Sequence, residues 1–299
     1  MKNTIDIEKG RYWDDGPMVV RGCTKISPGC EHCWSLTMTR IYQKGAGFVD
    51  RNNWTGKTET SIERLIKVCK PKKQRVISLW NDLFNGNVPS RFQDSVYAVS
   101  MLNKQHTFLI LTKRVHNMAH YWETPWVLLG NRWYSQGRKY STWKDRLGEK
   151  ECGTYPTTGI PNVWHGLTVC NQQEWKDKGE LFLQIPGKKF ISHEPALEGI
   201  DYGEGLKQID CLIAGGETGS KARPSHPDIF RADRDQCQAA GVSFFFKGWG
   251  KWGLNWLNDN NDNLIPGSEW MDKGIPKTGR MLDGRTHDDL PWYNITKEA

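Results

Sequence analysis

The sequence has no long hydrophobic run. None of its apolar stretches approaches the ~18 residues that a membrane span needs, so no membrane partner is expected. The opening residues MKNTIDIEKG lack the apolar centre of a secretory signal. The expected location is the cytoplasm. Internal repeats and low-complexity tracts are also missing. Acidic residues are in the minority, 34 against 41 Lys and Arg, which leaves a formal charge of +7. That balance suits a nucleic-acid or phosphate partner, and equally a solvated basic surface.

What is present is aromatic and cysteine-rich for a soluble chain: 15 Trp and 8 Cys in 299 residues. This length suits one large domain or two small ones, with a sizeable core. Cytoplasmic thiols stay reduced. Cys69, Cys152, Cys170, Cys211 and Cys237 are scattered. Cys170 and Cys211 lie in apolar runs, where cysteine acts as a small buried hydrophobe.

Seven short apolar runs recur: PMVVRG, QRVISLW, HTFLILTKR, NVWHGLTV, KKFISHEP, IDCLIAGGE and VSFFFKGW. Each reads as a strand buried on both faces. Helix-like segments fall between several of them. SIERLIKVCK precedes the second run and PSRFQDSVYAVSMLNK the third, with Ser90 a candidate N-cap. IFRADRDQCQAAG precedes the seventh and ends on Gly241, a plausible C′ residue. The alternation predicts α/β architecture with about seven mainly parallel strands. A complete or partial (β/α) barrel is the simplest form, with a doubly wound open sheet as its rival.

In both forms the chemistry belongs at the carboxyl ends of the strands. Polar residues gather there: Cys23, Asn81 and Asp82, Thr112 to Arg114, Thr168, Asn171 and Gln172, His193 and Glu194, Gly215 to Glu217, and Lys247. Asp82, Lys113, Glu194 and Glu217 are therefore expected in one cavity beside the cysteine loop.

Two stretches break the alternation. Residues 121–160 are long, aromatic and basic, with no clear helical or strand period, and read as a semi-ordered insertion over the cavity mouth. Arg132, Trp133, Tyr134, Arg138, Lys139, Tyr140, Trp143, Lys144 and Arg146 would meet nucleic-acid phosphates and bases. Beyond Trp249 the chain is rich in Asn, Asp, Gly and Trp. The expected organisation is a barrel over 1–250 and an irregular extension over 251–299 packed upon it.

Cys23, Cys30 and Cys33 are spaced C-x6-C-x2-C. Thiolates suit iron–sulfur clusters or zinc. Structural zinc usually takes four protein ligands, and a [4Fe–4S] cluster usually takes four cysteines. Three cysteines without an obvious fourth point to a cluster with one iron open. The alternatives are zinc, with His32 or Cys69 completing the set, and unligated thiols.

An open-cornered cluster after the first strand of an α/β barrel resembles the radical S-adenosylmethionine enzymes. Their usual spacing is C-x3-C-x2-C, and the first gap here is three residues longer. AGGETG, from Ala214 to Gly219, resembles their Gly-Gly-Glu motif, which holds the methionine amino group. There it follows the second strand, here about the sixth. A wider resemblance rests on GCTKISPGCEHCW, NDLF, LTKR, WHGLTVCNQ, HEPAL, AGGETGSKARP, AAGVSFFFKGWGKW and GRMLDGRTHDDLPW, in that order. Together they resemble a phage and prophage family of three-cysteine, radical-SAM-like proteins.

The resemblance implies an enzyme that generates a 5′-deoxyadenosyl radical from S-adenosylmethionine, reduced by an electron donor protein. Cys23, Cys30 and Cys33 would bind the [4Fe–4S] cluster. Glu194, Gly215, Gly216, Glu217 and Asn171 would bind the cofactor. Asn81, Asp82, Lys113 and Arg114 would hold the substrate. Phage context implies a nucleotide or hypermodified DNA base, for example an amino-acid-decorated thymidine. Two other functions fit the residues: a zinc-stabilised nucleic-acid-binding protein, and a hydrolase or lyase barrel using Asp82, Glu194 and Glu217.

Overall fold

Six of the seven apolar runs become six parallel strands. They are β1 (Val76–Leu79), β2 (Thr107–Thr112), β3 (Val163–Thr168), β4 (Lys188–His193), β5 (Cys211–Gly215) and β6 (Ser243–Gly248). Each strand pairs with the next in sequence, so the spatial order is the chain order. The structure is a computed structural model and describes residues 7–42, 46–51, 53–71, 73–139, 158–253, 271–272 and 279–294. The sheet curls into an open half-barrel with helices on its convex side.

The expected seventh strand is absent from this sheet. Val20–Arg21 instead pairs antiparallel with Glu59–Thr60. The run holds only two valines and is bounded by Pro17, which has no N–H to give a ladder, and by Gly22 at φ +76°. The segment just before it covers the free edge of β1: Asp15 bridges Ile77, and Ser78 N–H donates to the Asp15 carbonyl at 2.8 Å. At the other edge the C-terminal segment bridges β6 between Phe245 and Asp288. Both exposed ladders are thereby blunted.

Side chains alternate between faces along a strand. Ile77, Phe108, Ile110, Leu167, Ile191, Leu212 and Phe246 face the helices and are buried. Val76, Leu109, Trp164, Phe190, Cys211, Ile213 and Phe245 face inward, where Tyr12, Leu290 and Trp292 close over them. Trp292 lies in the final helical turn, Pro291–Asn294, and its indole N–H donates to the Tyr12 carbonyl at 3.1 Å. Burial on both faces explains why the strands read as nearly unbroken apolar runs.

The helices are α1 (Trp34–Tyr42), α2 (Ile62–Cys69), α3 (Ser90–Leu102), α4 (Val115–Trp122), α5 (Trp126–Gly137), α6 (Gln172–Leu183) and α7 (Pro227–Ala240). Gly241 ends α7 at φ 70°, in the left-handed cap conformation. The cap of α3 is Pro89, not Ser90, which is the first helical residue.

The insertion also departs from expectation. Residues 126–137 form α5, which packs on α3 and buries Trp133. Trp133 Nε1 donates to Tyr121 Oη at 2.7 Å, and Tyr121 Oη donates to Asp94 Oδ1 at 2.9 Å. Arg132 completes the group with Nε 2.8 Å from Asp94 Oδ2. Trp133 and Arg132 are therefore packing residues, not a mobile nucleic-acid contact. Tyr140, Trp143, Lys144, Arg146 and Cys152 lie outside the described residues.

Among the described residues no helix is long and apolar enough to cross a membrane.

Candidate functional site

The inward face changes character toward the carboxyl edge. Stepping by two from the buried residues leads from Val76 to Trp80, Leu109 to Lys113, Trp164 to Thr168, Phe190 to Glu194 and Phe245 to Lys247. All five end points line one cavity of about 210 Å³. Cys23, Cys30 and Cys33 line the same cavity, as do Asp82, Arg114, Gly216 and Glu217. The strand ends expected to converge beside the cysteine loop thus do so.

Each thiol has a donor at hand. Cys23 Sγ lies 3.8 and 3.9 Å from the two terminal nitrogens of Arg114. Cys30 ends the turn Pro28–Cys30, with Ser27 Oγ 3.7 Å from its sulfur. Cys33 precedes α1, where the Leu36 and Ser35 amides of the first turn act to lower its thiol. Those amides have no partner within the helix. Burial pushes the Cys23 thiol up, with Arg114 opposing it, and burial likewise raises Cys33. Among the described residues no three His, Cys, Asp or Glu side chains are grouped to hold a metal ion.

A fourth thiol stands behind the loop. Cys170 Sγ would lie 2.4 Å from a Cβ placed on Gly29, so only glycine fits there. Lys113 Nζ lies 3.7 Å from the Cys170 sulfur. Burial acts to lower the Lys113 ammonium, but Cys170, Cys30, Glu174 and Cys33 outweigh it and hold the group above its ordinary value.

The other charged residues are matched in pairs. Arg114 Nη1 meets Asp82 Oδ2 at 2.5 Å, with side chains only 9% and 10% exposed. Lys247 Nζ meets Glu194 Oε1 at 2.7 Å, and Ser192 Oγ donates to Glu194 Oε2 at 3.2 Å. Arg223 Nη2 meets Glu217 Oε1 at 2.6 Å. Asn81 donates to the Val20 carbonyl.

Several expected roles change accordingly. Asp82 and Arg114 hold each other and the cysteine loop rather than standing free for substrate. Glu217 is engaged by Arg223, which also reaches the Pro28 carbonyl at 3.1 Å and Glu31 at 3.2 Å. Gly216 is glycine for packing: a Cβ there would lie 1.9 Å from the Trp249 carbonyl oxygen. Gly215 does not line the cavity; a Cβ on it would meet Glu194 at 2.9 Å. Asn171 is not a cavity residue at all. Its side chain caps α6 by accepting from Glu174 N–H at 2.9 Å.

Which of the chain's many aromatic residues meet the cavity was not legible in the sequence. Tyr12, Trp13, Trp34, Trp54 and Trp80 line the cavity, and the Trp34 and Trp80 rings are 4.8 Å apart at 46°. Arg223 was missed too. Signals existed for both: Trp34 directly follows Cys33, and Arg223 lies within the AGGETGSKARP run.

Fold and site together define a curled parallel α/β protein with a thiol-lined cavity at the carboxyl edge of its sheet. The family model described as "Protein of unknown function (DUF5131)" matches residues 11–291, and the chain belongs to that family. No curated protein matches the chain, and no solved structure does.

Proposed function

We propose that this protein is a radical S-adenosylmethionine enzyme acting on a nucleotide or a modified DNA base. Cys23, Cys30 and Cys33 would hold a [4Fe–4S] cluster, leaving one iron for the cofactor. Cluster and S-adenosylmethionine, when bound, would supply a 5′-deoxyadenosyl radical able to abstract hydrogen from an unreactive carbon. The observation that carries this reading is the gathering of three thiols, each beside a donor, in one cavity with Lys113 and Arg114. The donors work against the burial that raises Cys23 and Cys33, and a bound iron would complete the balance toward the anionic sulfur it needs.

Zinc has less support. Donors to one ion must converge on a point, whereas cluster thiolates bind separate irons and stand further apart. The hydrolase or lyase reading also has less, because Asp82, Glu194 and Glu217 are each paired with a cation.

The chain's own residues divide the remaining work. Arg114 and Lys113 offset negative charge at the thiols. Glu194, backed by Ser192 and Lys247, is the carboxylate best placed for the cofactor's amino or ribose group. The Trp13, Trp34 and Trp80 wall excludes water and takes a flat ring. A base in duplex DNA would have to be flipped out to reach it. The reductant is an electron donor protein, and the setting is the cytoplasm.

Anaerobic reconstitution tests the proposal. The expected product is brown, with about four irons per chain, and releases 5′-deoxyadenosine when reduced with S-adenosylmethionine. Ala at Cys23, Cys30 or Cys33 abolishes iron binding; Ala at buried Cys69 or Cys237 does not. A colourless protein with one zinc per chain would sink the proposal.

A further inference from the structure

We infer that Arg114 positions Cys23 as a cluster ligand and raises the cluster's reduction potential; this rests on the cluster reading above. Its guanidinium is divided among three partners. Nη1 donates to Asp82 Oδ2 at 2.5 Å. Nη2 donates to the Thr24 carbonyl at 2.8 Å and to Thr24 Oγ1 at 2.6 Å. Both nitrogens face Cys23 Sγ. Asp82 is itself fixed by Thr112 Oγ1 at 2.6 Å and by the Phe84 amide at 3.1 Å. The planar fork of Arg satisfies all of these directions at once, and Lys cannot.

The consequence for a bound cluster follows from charge. Reduction adds an electron, part of whose density falls on the ligand sulfurs. The guanidinium donates to the Cys23 sulfur and outweighs there the opposing Asp82 carboxylate, so it stabilises the reduced state more than the oxidised state and the potential rises. Cys30 faces a neutral hydroxyl and Cys33 the first turn of α1, and the Lys113 ammonium acts on both without a hydrogen bond to either sulfur among the described residues. Cys23 is thus the ligand with a guanidinium at its sulfur.

The molecule contains its own control. Arg223 grips the same loop at Pro28 and Glu31, and among the described residues it donates to no sulfur. Loosening the loop alone and removing the sulfur donor can therefore be separated.

The test reconstitutes four full-length proteins anaerobically with iron and sulfide: wild type, Arg114→Lys, Arg114→Gln with Asp82→Asn, and Arg223→Lys. The last keeps a cation beside buried Glu217 and loses the fork that reaches Pro28 and Glu31. Folding is followed by circular dichroism, cluster release by a chelator, and potential by redox titration monitored by electron paramagnetic resonance. Both Arg114 proteins are expected to release the cluster about 10-fold faster or more. Their potentials move negative, further in the double variant, which has no cation at the Cys23 sulfur. Arg223→Lys keeps the wild-type potential. The double variant leaves no buried charge unpaired and carries the test if Arg114→Lys fails to fold. Outright absence of the cluster from a folded Arg114 variant, with Arg223→Lys loaded, supports the same role. Unchanged potential and retention in the Arg114 proteins overturn it, as does an equal potential shift in Arg223→Lys. A wild type that takes up no iron overturns the cluster reading and this inference with it.

Discussion

Arg223 closes on Glu217 as a fork, with Nε 2.8 Å from Oε2 and Nη2 2.6 Å from Oε1, and the Arg223 amide adds a third bond to Oε2 at 2.8 Å. The carboxylate of the Gly-Gly-Glu run is satisfied from within its own loop. Its work is to tie the end of β5 to the cysteine loop. Arg223 is about a third exposed, so solvent screens the pair, and Glu217→Gln is expected to cost about 1–2 kcal/mol. A urea titration reads this as a lower midpoint. If S-adenosylmethionine binds as proposed, its affinity should stay near wild type in this variant; a large drop in affinity in a protein of unchanged midpoint would mean that Glu217 touches the cofactor.

Trp133 carries the attachment of α5. It is 1% exposed and bonded to Tyr121, whose ring stacks on Tyr97 at 5.3 Å. Trp133→Ala removes that packing and is expected to destabilise by about 3–5 kcal/mol. Thermal or urea unfolding measures it, and a destabilisation well under 1 kcal/mol would detach α5 from the core described above.

The same packing makes a deletion through α5 a poor probe of nucleic-acid binding, so charge changes serve better. Arg138 and Lys139 lie at its exposed end. If they meet phosphates, replacing both with Ala lowers DNA affinity and flattens its salt dependence, by roughly one unit of slope for each phosphate no longer neutralised. Identical slopes for the variant and the parent would remove α5 from any DNA interface.

The alternation of strand faces made much of the site legible. Lys113, Glu194 and Lys247 continue the inward face of their strands, and period two alone brings them to one edge. Pairing was not legible. Asp82 and Arg114 stand 32 residues apart, and nothing local says that each occupies the other. The first run failed because two valines between Pro17 and Gly22 are too few to hold a central strand. Helix α5 was hidden by its surface: Trp126, Leu129 and Trp133 keep a helical spacing, but Val127 at 75% and Leu128 at 54% exposure blur the apolar face.

His165 gives the fold an acid sensitivity. It is wholly buried between Tyr97 Oη at 3.0 Å and the Pro186 carbonyl at 3.0 Å. Burial lowers it from 6.5 to about 3. Between these values the unfolded chain binds the proton and the folded chain does not. Stability is therefore full above about pH 6.5 and is lost as pH falls toward 3, by roughly 3 kcal/mol near pH 4. His165→Gln should be less stable at neutral pH yet lose much less on acidification. Parallel urea titrations at neutral and acid pH compare the two slopes, and equal acid losses would place the sensitivity elsewhere.

Trp34 offers the most direct handle on the substrate. It follows Cys33, begins α1, and is 47% exposed while lining the cavity beside Trp80. Its exposure means that the core does not depend on it, so Trp34→Ala should unfold at nearly the wild-type midpoint. Stacking of a base on an aromatic side chain is worth about 1–3 kcal/mol by alanine substitution. If the substrate presents a nucleobase to this wall, Trp34→Ala weakens its binding by that amount, about 5- to 150-fold, while Trp34→Phe recovers most of it because the ring remains. Fluorescence titration with a short single-stranded oligonucleotide and with free nucleotides, on anaerobically reconstituted protein, measures both. Equal affinities for the Ala and Phe variants and the parent would show that no base rests on Trp34, and the aromatic wall would then serve only to keep water from the thiols.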